Sequence, residues 1–136
     1  MATGVESIPF ATLVARRFRA RLAIAKEADY ASGCARRNIY YTQTIEYDTR
    51  RRSEGLSVPR QSLGANDNVL IASLVLTDGL DESYMAKIAG KMAKSNVAGV
   101  IGIFGIGDDY KKTLSHVTTR KFSGVRVEAL YQTNPR

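Results

Sequence analysis

The sequence predicts an α+β fold: an antiparallel β-sheet followed by two helices, with an additional C-terminal strand. Three observations predict it. Residues 16–26, RRFRARLAIAK, alternate in type with period two. Residues 36–47, RRNIYYTQTIEY, alternate again and are dense in β-branched and aromatic side chains, which favour a pleated, half-buried surface. After Asp78-Gly79 the apolar spacing lengthens to that of a helix, a change of period that marks a change of element.

In the first segment the alternation sets Arg17, Arg19 and Arg21 on one side and Phe18, Ala20, Leu22 and Ile24 on the other, as a half-exposed strand requires. A helix through residue 30 is the competitor, because Ala, Leu and Arg are good helix formers. The small residues ASGCA at 31–35 then read as a turn, so the two segments form a hairpin, with the Arg row sharing a face with Tyr40, Thr42 and Thr44. Residues 48–68 carry Gly55, Pro59 and Gly64 among several Ser, Asn and Asp. They read as a long excursion with at most an edge strand at 56–58. VLIASLVLT at 69–77 is the most apolar strand candidate and belongs in the sheet interior. Residues 80–95 place Tyr84, Met85, Ile88 and Met92 at helical spacing. Asp81 and Glu82 fall in the first turn and Lys91 and Lys94 near the end, where each favours the helix dipole. A short second helix from 97 to about 104 would end at Gly105, 108–122 holds a further helical turn or two, and GVRVEALY at 124–131 alternates as a strand. The expected organisation is one domain, 1–136: sheet hairpin, loop and core strand over 16–77, helix pair over 80–107, and C-terminal strand over 124–131.

With 136 residues the chain has room for one domain of ordinary size. Its 44% hydrophobic and 24% charged composition excludes the disordered and collagen-like classes. No apolar run is long enough to span a bilayer, and MATGVESIPF lacks the basic start and apolar centre of a signal peptide. A soluble protein, intracellular when made, is expected. The single Cys34 and single His116 offer neither an internal disulfide nor a Cys/His cluster, so no metal and no cofactor are expected. The net charge of +7 favours an anionic partner. Residues 1–66 are net +5 and 67–136 net +2, and every cation before residue 66 except Lys26 is Arg. Arginine is the better phosphate fork, although a basic run also serves simply as a solvated face.

Catalytic signals are weak. His116 has no nucleophile at a recognisable spacing, Asp108 and Asp109 are adjacent rather than converging, and Cys34 sits in a turn of small residues. A non-enzymatic protein with no catalytic residue is expected. Val100–Gly105, VIGIFG, is similar to the GxxG loop of KH nucleic-acid-binding domains. Its interior is apolar where that family carries a base, and Asp108-Asp109 follows closely enough to repel phosphate.

In order, the chain reads Arg-rich strand, turn, Tyr/Thr-rich strand, long excursion, apolar strand, amphipathic helix, second helix. That order, over about 16–107, resembles the coat proteins of single-stranded RNA bacteriophages. It is carried by RRFRARLAIAKEADYASGCARRNIYYTQTIEY as central hairpin, NVLIASLVLTDG as last sheet strand, and LDESYMAKIAGKMAKSNVAGVIGIFGIG as helix pair. The ends differ: few residues precede the first strand and about thirty follow the helices, where GVRVEALY would pair beside GVESIPFATLV. The resemblance implies a virion protein made in the bacterial host's cytoplasm. Its helices pack across a dimer partner through Tyr84, Met85, Ile88 and Met92, and the homodimer assembles into an icosahedral capsid. The sheet face then binds genomic RNA, with Arg17, Arg19 and Arg21 on phosphates, Thr42 and Thr44 on bases or sugars, and Tyr40 stacking. The resemblance further implies repression of translation by a coat dimer through an RNA hairpin. The alternatives are a small basic adaptor docking on an acidic protein or ribonucleoprotein assembly, and a KH-like domain.

Overall fold

The computed structural model describes residues 1–29, 39–46, 53–117 and 126–133. Strand β1 (Ala2–Thr3) passes through Gly4 and a 3-10 turn, Val5–Ser7, into helix α1 (Ile8–Phe18). Then come β2 (Ile24–Asp29), β3 (Tyr40–Glu46) and β4 (Ser53–Pro59), a 3-10 turn at Arg60–Ser62, and β5 (Asn68–Leu76). Helix α2 (Leu80–Lys87) runs on into a π-helical turn, Ile88–Met92, followed by β6 (Asn96–Ile106), α3 (Asp109–Ser115) and β7 (Val127–Thr133).

β5, β6 and β7 are parallel neighbours in that order. On the other side the order is β1-β2-β4-β3, with β1 parallel to β2 and both β2 and β3 antiparallel to β4. Met1 joins the two: its ammonium donates to the Leu70 carbonyl at 2.7 Å, and its own carbonyl accepts from the Ala72 N–H at 2.8 Å. That alternation is the parallel pattern, so β1 lies between β2 and β5. The chain leaves β1 through α1 toward β2 on one side, and leaves β5 through α2 toward β6 on the other. Right-handed crossovers in opposite directions put their helices on opposite faces of a sheet. Accordingly α1 packs on one face, where Ala2, Ala11 and Ala72 form a small cluster with Phe10, Leu22 and Ile101. Met85 of α2, Ile88 of the π-helical turn, and Tyr110 and Leu114 of α3 join the larger core of Leu56, Val58, Ile71, Val97 and Val100 on the other.

The expected antiparallel sheet followed by two helices is therefore corrected to an α/β architecture with helices between parallel strands. Residues 8–18 form α1, with a proline in the first turn, a position that tolerates its missing N–H. The period-two pattern of 16–26 yields to helix as far as Phe18 because Ala11 gains close packing on Ala2 and Ala72. The hairpin between the Arg-rich and Tyr-rich segments does not form, since β4 lies between β2 and β3. The 56–58 stretch, expected at most as an edge strand, is interior to that sheet, with Leu56 and Val58 fully buried. The expected second helix, including the KH-like Val100–Gly105, lies within β6. Its glycines serve close packing: a Cβ on Gly102 would meet Leu76 Cγ at 2.7 Å. The C-terminal strand pairs with β6 rather than with the N-terminal segment.

Candidate active site at the strand crest

In an open α/β sheet, ligands bind beyond the carboxyl ends of the strands, where adjacent connections diverge. Here that switch point falls between β1 and β5. On the β1 side, Gly4 adopts φ 77°, and the Glu6 carboxylate folds back over its Cα, occupying the space a side chain there would need. Ser7, 3% exposed, accepts the Leu74 N–H on its Oγ at 3.0 Å and so ties the loop to β5. On the β5 side, Thr77, Asp78 and Gly79 open α2. Gly79 has φ 74°, and a Cβ there would meet Tyr110 Cα at 3.0 Å, so both the left-handed backbone and the approach of α3 require glycine.

The crest is acidic. Asp78 Oδ1 accepts the Leu80 N–H at 3.0 Å and thereby caps α2 with a carboxylate of the chain's own. Asp81 and Glu82 follow in the first turn. Glu82 is buried, and burial pushes its carboxyl above the usual range. Beyond β6, the exposed Asp108 accepts from Lys111 Nζ at 2.9 Å and from Gln132 Nε2 at 2.7 Å. These bonds, Lys111 foremost, hold its carboxyl below the usual range and raise the Lys111 ammonium. Carboxylates so arranged draw cationic groups and stabilise positive charge as it develops.

None of the residues expected to bind RNA lies at this crest. Arg17 is in the last turn of α1 and Arg19 is its left-handed C-cap, while Arg21 is bonded to Asp67 at 2.8 Å. They are near the opposite end of β5, a nine-residue strand that spans roughly 25 Å at about 3.3 Å per residue. The helix turn separates Arg17 from Arg21, so the three do not form the row that strand alternation would give. Tyr40 begins β3 and is half-buried; Thr42 and Thr44 pair with Ser57 and Gly55 of β4. Of the residues expected to meet a dimer partner, Met85 and Ile88 are fully buried in the chain's own core. Tyr84 is half-buried with Lys87 Nζ 4.6 Å from its ring centroid, and Met92 is 36% exposed. His116 caps the far end of α3, and Cys34 lies outside the described residues.

Sequence reasoning missed Gly4, Glu6, Ser7, Asp78 and Gly79 as one site. Half of it carried a signal: an apolar strand, Asp-Gly and a helix start in succession at 69–82 are the strand–turn–helix of a crest loop. The other half follows a strand of two residues, too short to show any period.

No family model and no curated protein matches the sequence. Solved structures do match its fold. The chain is similar to adenine phosphoribosyltransferase from Thermoanaerobacter pseudethanolicus, with a TM-score of 0.76 and 14% identity over 97% of this chain and 68% of that one. It is similar also to the enzyme from Trypanosoma brucei in complex with AMP, pyrophosphate and ribose-5-phosphate, with a TM-score of 0.72 and 14% identity over 96% and 54%. A third, from Saccharomyces cerevisiae, gives 0.68 and 16% over 95% and 65%. The chain thus spans between about half and two thirds of these proteins. At such identity the likeness is one of fold.

That fold overturns the phage coat-protein resemblance, and the capsid, RNA partner, dimeric shell and virion placement fall with it. The adaptor and KH-like alternatives fit no better. The expectation of a non-enzymatic protein is likewise corrected, because in these solved structures the fold carries an enzyme. Among the described residues, no helix is long and apolar enough to cross a membrane.

Proposed function

We propose that this chain holds a nucleotide, or the phosphoribosyl diphosphate from which one is made, at the crest between β1 and β5 and transfers the phosphoribosyl group. The observation that supports this most is the fold likeness over nearly the whole chain, together with a switch point at β1/β5 of the kind that binds ligands in such sheets. In the transfer, a nucleobase nitrogen attacks ribose C1 while the diphosphate leaves with the electron pair of the C1–O bond, and the proton displaced from the base passes to the departing diphosphate or to water. Positive charge develops on the sugar ring in such a displacement, and Glu6 and Asp78 are placed to stabilise it. The same carboxylates repel a bare diphosphate. No three metal-ligating side chains gather among the described residues, so a divalent cation would enter as part of the diphosphate substrate.

Two measurements test this: AMP formation from adenine and 5-phosphoribosyl diphosphate in magnesium buffer, and amide chemical-shift mapping with AMP. The expected result is AMP production, with shifts concentrated at Gly4–Ser7 and Thr77–Leu80. If millimolar AMP leaves those amides unmoved and no product forms, the proposal fails.

A further inference from the structure

At the end of the sheet opposite the crest, a cleft of about 640 Å³ opens between α1, residues 19–23 and the first residues of β5 and β6. Its walls are apolar: Val14, Ala15 and Phe18 from α1, Leu22, Leu70 and Ala98. Phe18 stands 69% exposed at this cleft. Such a volume and lining are those of small-molecule sites, in which a few polar groups fix orientation. Two cations line the cleft, Arg19 and Arg21. Arg21 is already paired with Asp67, whereas the Arg19 side chain makes no hydrogen bond or ion pair among the described residues.

The backbone of Arg19 is unusual. As the C-cap of α1 it adopts φ 52°, ψ 39°, its N–H donating to the Ala15 and Arg16 carbonyls. That left-handed position is ordinarily filled by glycine, and an L side chain there is strained. Favourable charge at the helix C-terminus does not account for it, because Arg16 and Arg17 already supply that charge in the last turn. The strain thus holds a guanidinium at the cleft without an internal contact to offset it, a pattern associated with function.

We propose that the cleft binds a small amphipathic organic anion, its apolar body lying along Val14, Phe18, Leu22 and Leu70 and its single anionic head on the Arg19 guanidinium. The charge lining the cleft agrees: Arg19 and Arg21 stand against one carboxylate, Asp67, which is already paired with Arg21. This proposal does not depend on the crest reading, since the two sites occupy opposite ends of the strands.

Calorimetric titration of the whole chain with decanoate, decyl phosphate and decanol tests it, with Arg19→Gly, Arg19→Lys and Ala98→Phe as variants. The expected result is micromolar binding of at least one anion, at least tenfold tighter than decanol, with methyl shifts at Val14, Leu22 and Ala98. The tighter of the two anions identifies the head group. Arg19→Gly should weaken that anion at least tenfold while raising the melting temperature by about 2–4 °C as the backbone relaxes. Arg19→Lys should retain most of the affinity, and Ala98→Phe should block binding. Decanol bound as tightly as the anions, or Arg19→Gly binding as well as wild type, overturns the anchor. No binding by any of the three, or a self-associated species in sedimentation whose dissociation is needed before decanoate enters, overturns the site.

Discussion

Glu82 shows how a single buried group shapes the crest. It lies in the first turn of α2, 5% exposed, where the helix dipole favours a carboxylate but burial raises its pKa above the ordinary value. An acid whose folded pKa exceeds its unfolded one binds protons more readily in the folded state. Its destabilising effect is absent below the unfolded value of about 4.5 and grows as pH rises toward the folded one. Glu82→Gln, which keeps the shape and removes the charge, should raise the melting temperature by a few degrees at pH 7 and leave it nearly unchanged at pH 4, as thermal denaturation at the two pH values would show. A gain of equal size at both would mean that the side chain acts through packing instead.

Among the elements, β6 departs most from what its residues suggest. Gly99, Gly102 and Gly105 recur every third residue, a spacing that reads as neither strand nor helix. Each marks a close approach: Cβ atoms at these positions would meet the Arg126 carbonyl at 3.0 Å, Leu76 Cγ at 2.7 Å and Tyr110 Oη at 2.6 Å. The strand keeps its ladder to β5 and β7 because these glycines admit their neighbours. Gly102→Ala should therefore cost about 1–3 kcal/mol, as overpacking does, in chemical denaturation. The same substitution at Gly90, where the nearest atom stands at 3.9 Å, should cost nothing and improve helix propensity. Helix α1 carries a related lesson. Its last residues, 16–18, open the stretch whose alternation would suit a strand, yet they close a helix whose Ala11 packs with Ala2 and Ala72.

Among the described residues, carboxylates gather at one end of the sheet, with Lys111 and Lys112 beside Asp108 and Asp109, and cations gather at the other, with Asp67 beside Arg21. Glu6, Asp78, Asp81, Glu82, Asp108 and Asp109 follow the carboxyl ends of the strands, while Arg16, Arg17, Arg19, Arg21, Lys91, Lys94 and Arg126 lie toward the amino ends. The arginines at 16, 17, 19 and 21 thus belong to the end of the molecule away from the crest. An anionic substrate at the crest must overcome its carboxylates. Asp78→Asn, which preserves the cap on Leu80, should tighten AMP about two- to fivefold in a binding titration, since a charge near a helix N-terminus is worth about 0.3–1 kcal/mol. On the proposed reading turnover should fall, because the same carboxylate would stabilise the sugar's developing charge. Weaker AMP binding in this variant would place the phosphate elsewhere.

Local pattern was legible where an element is long and one-sided. The apolar run at 69–77 falls on β5, the helical spacing after Asp78 on α2, and the alternation at the C-terminus on β7. The candidate site was legible only as the Asp-Gly turn joining the first two. Strand direction and order were not, because a period of two says that one face is buried and nothing about which neighbour lies beside it or which way that neighbour runs. The centre of the sheet is β1, two residues long, with no period to read. It is placed by backbone bonds from Ala2 to Ala23, 3.1 Å, and between Met1 and both Leu70 and Ala72. The sequence by itself determined which segments bury a face and where the cations cluster. Only the tertiary structure decided that the strands run parallel and that their diverging connections open a site, because those depend on hydrogen bonds between residues about twenty and seventy positions apart.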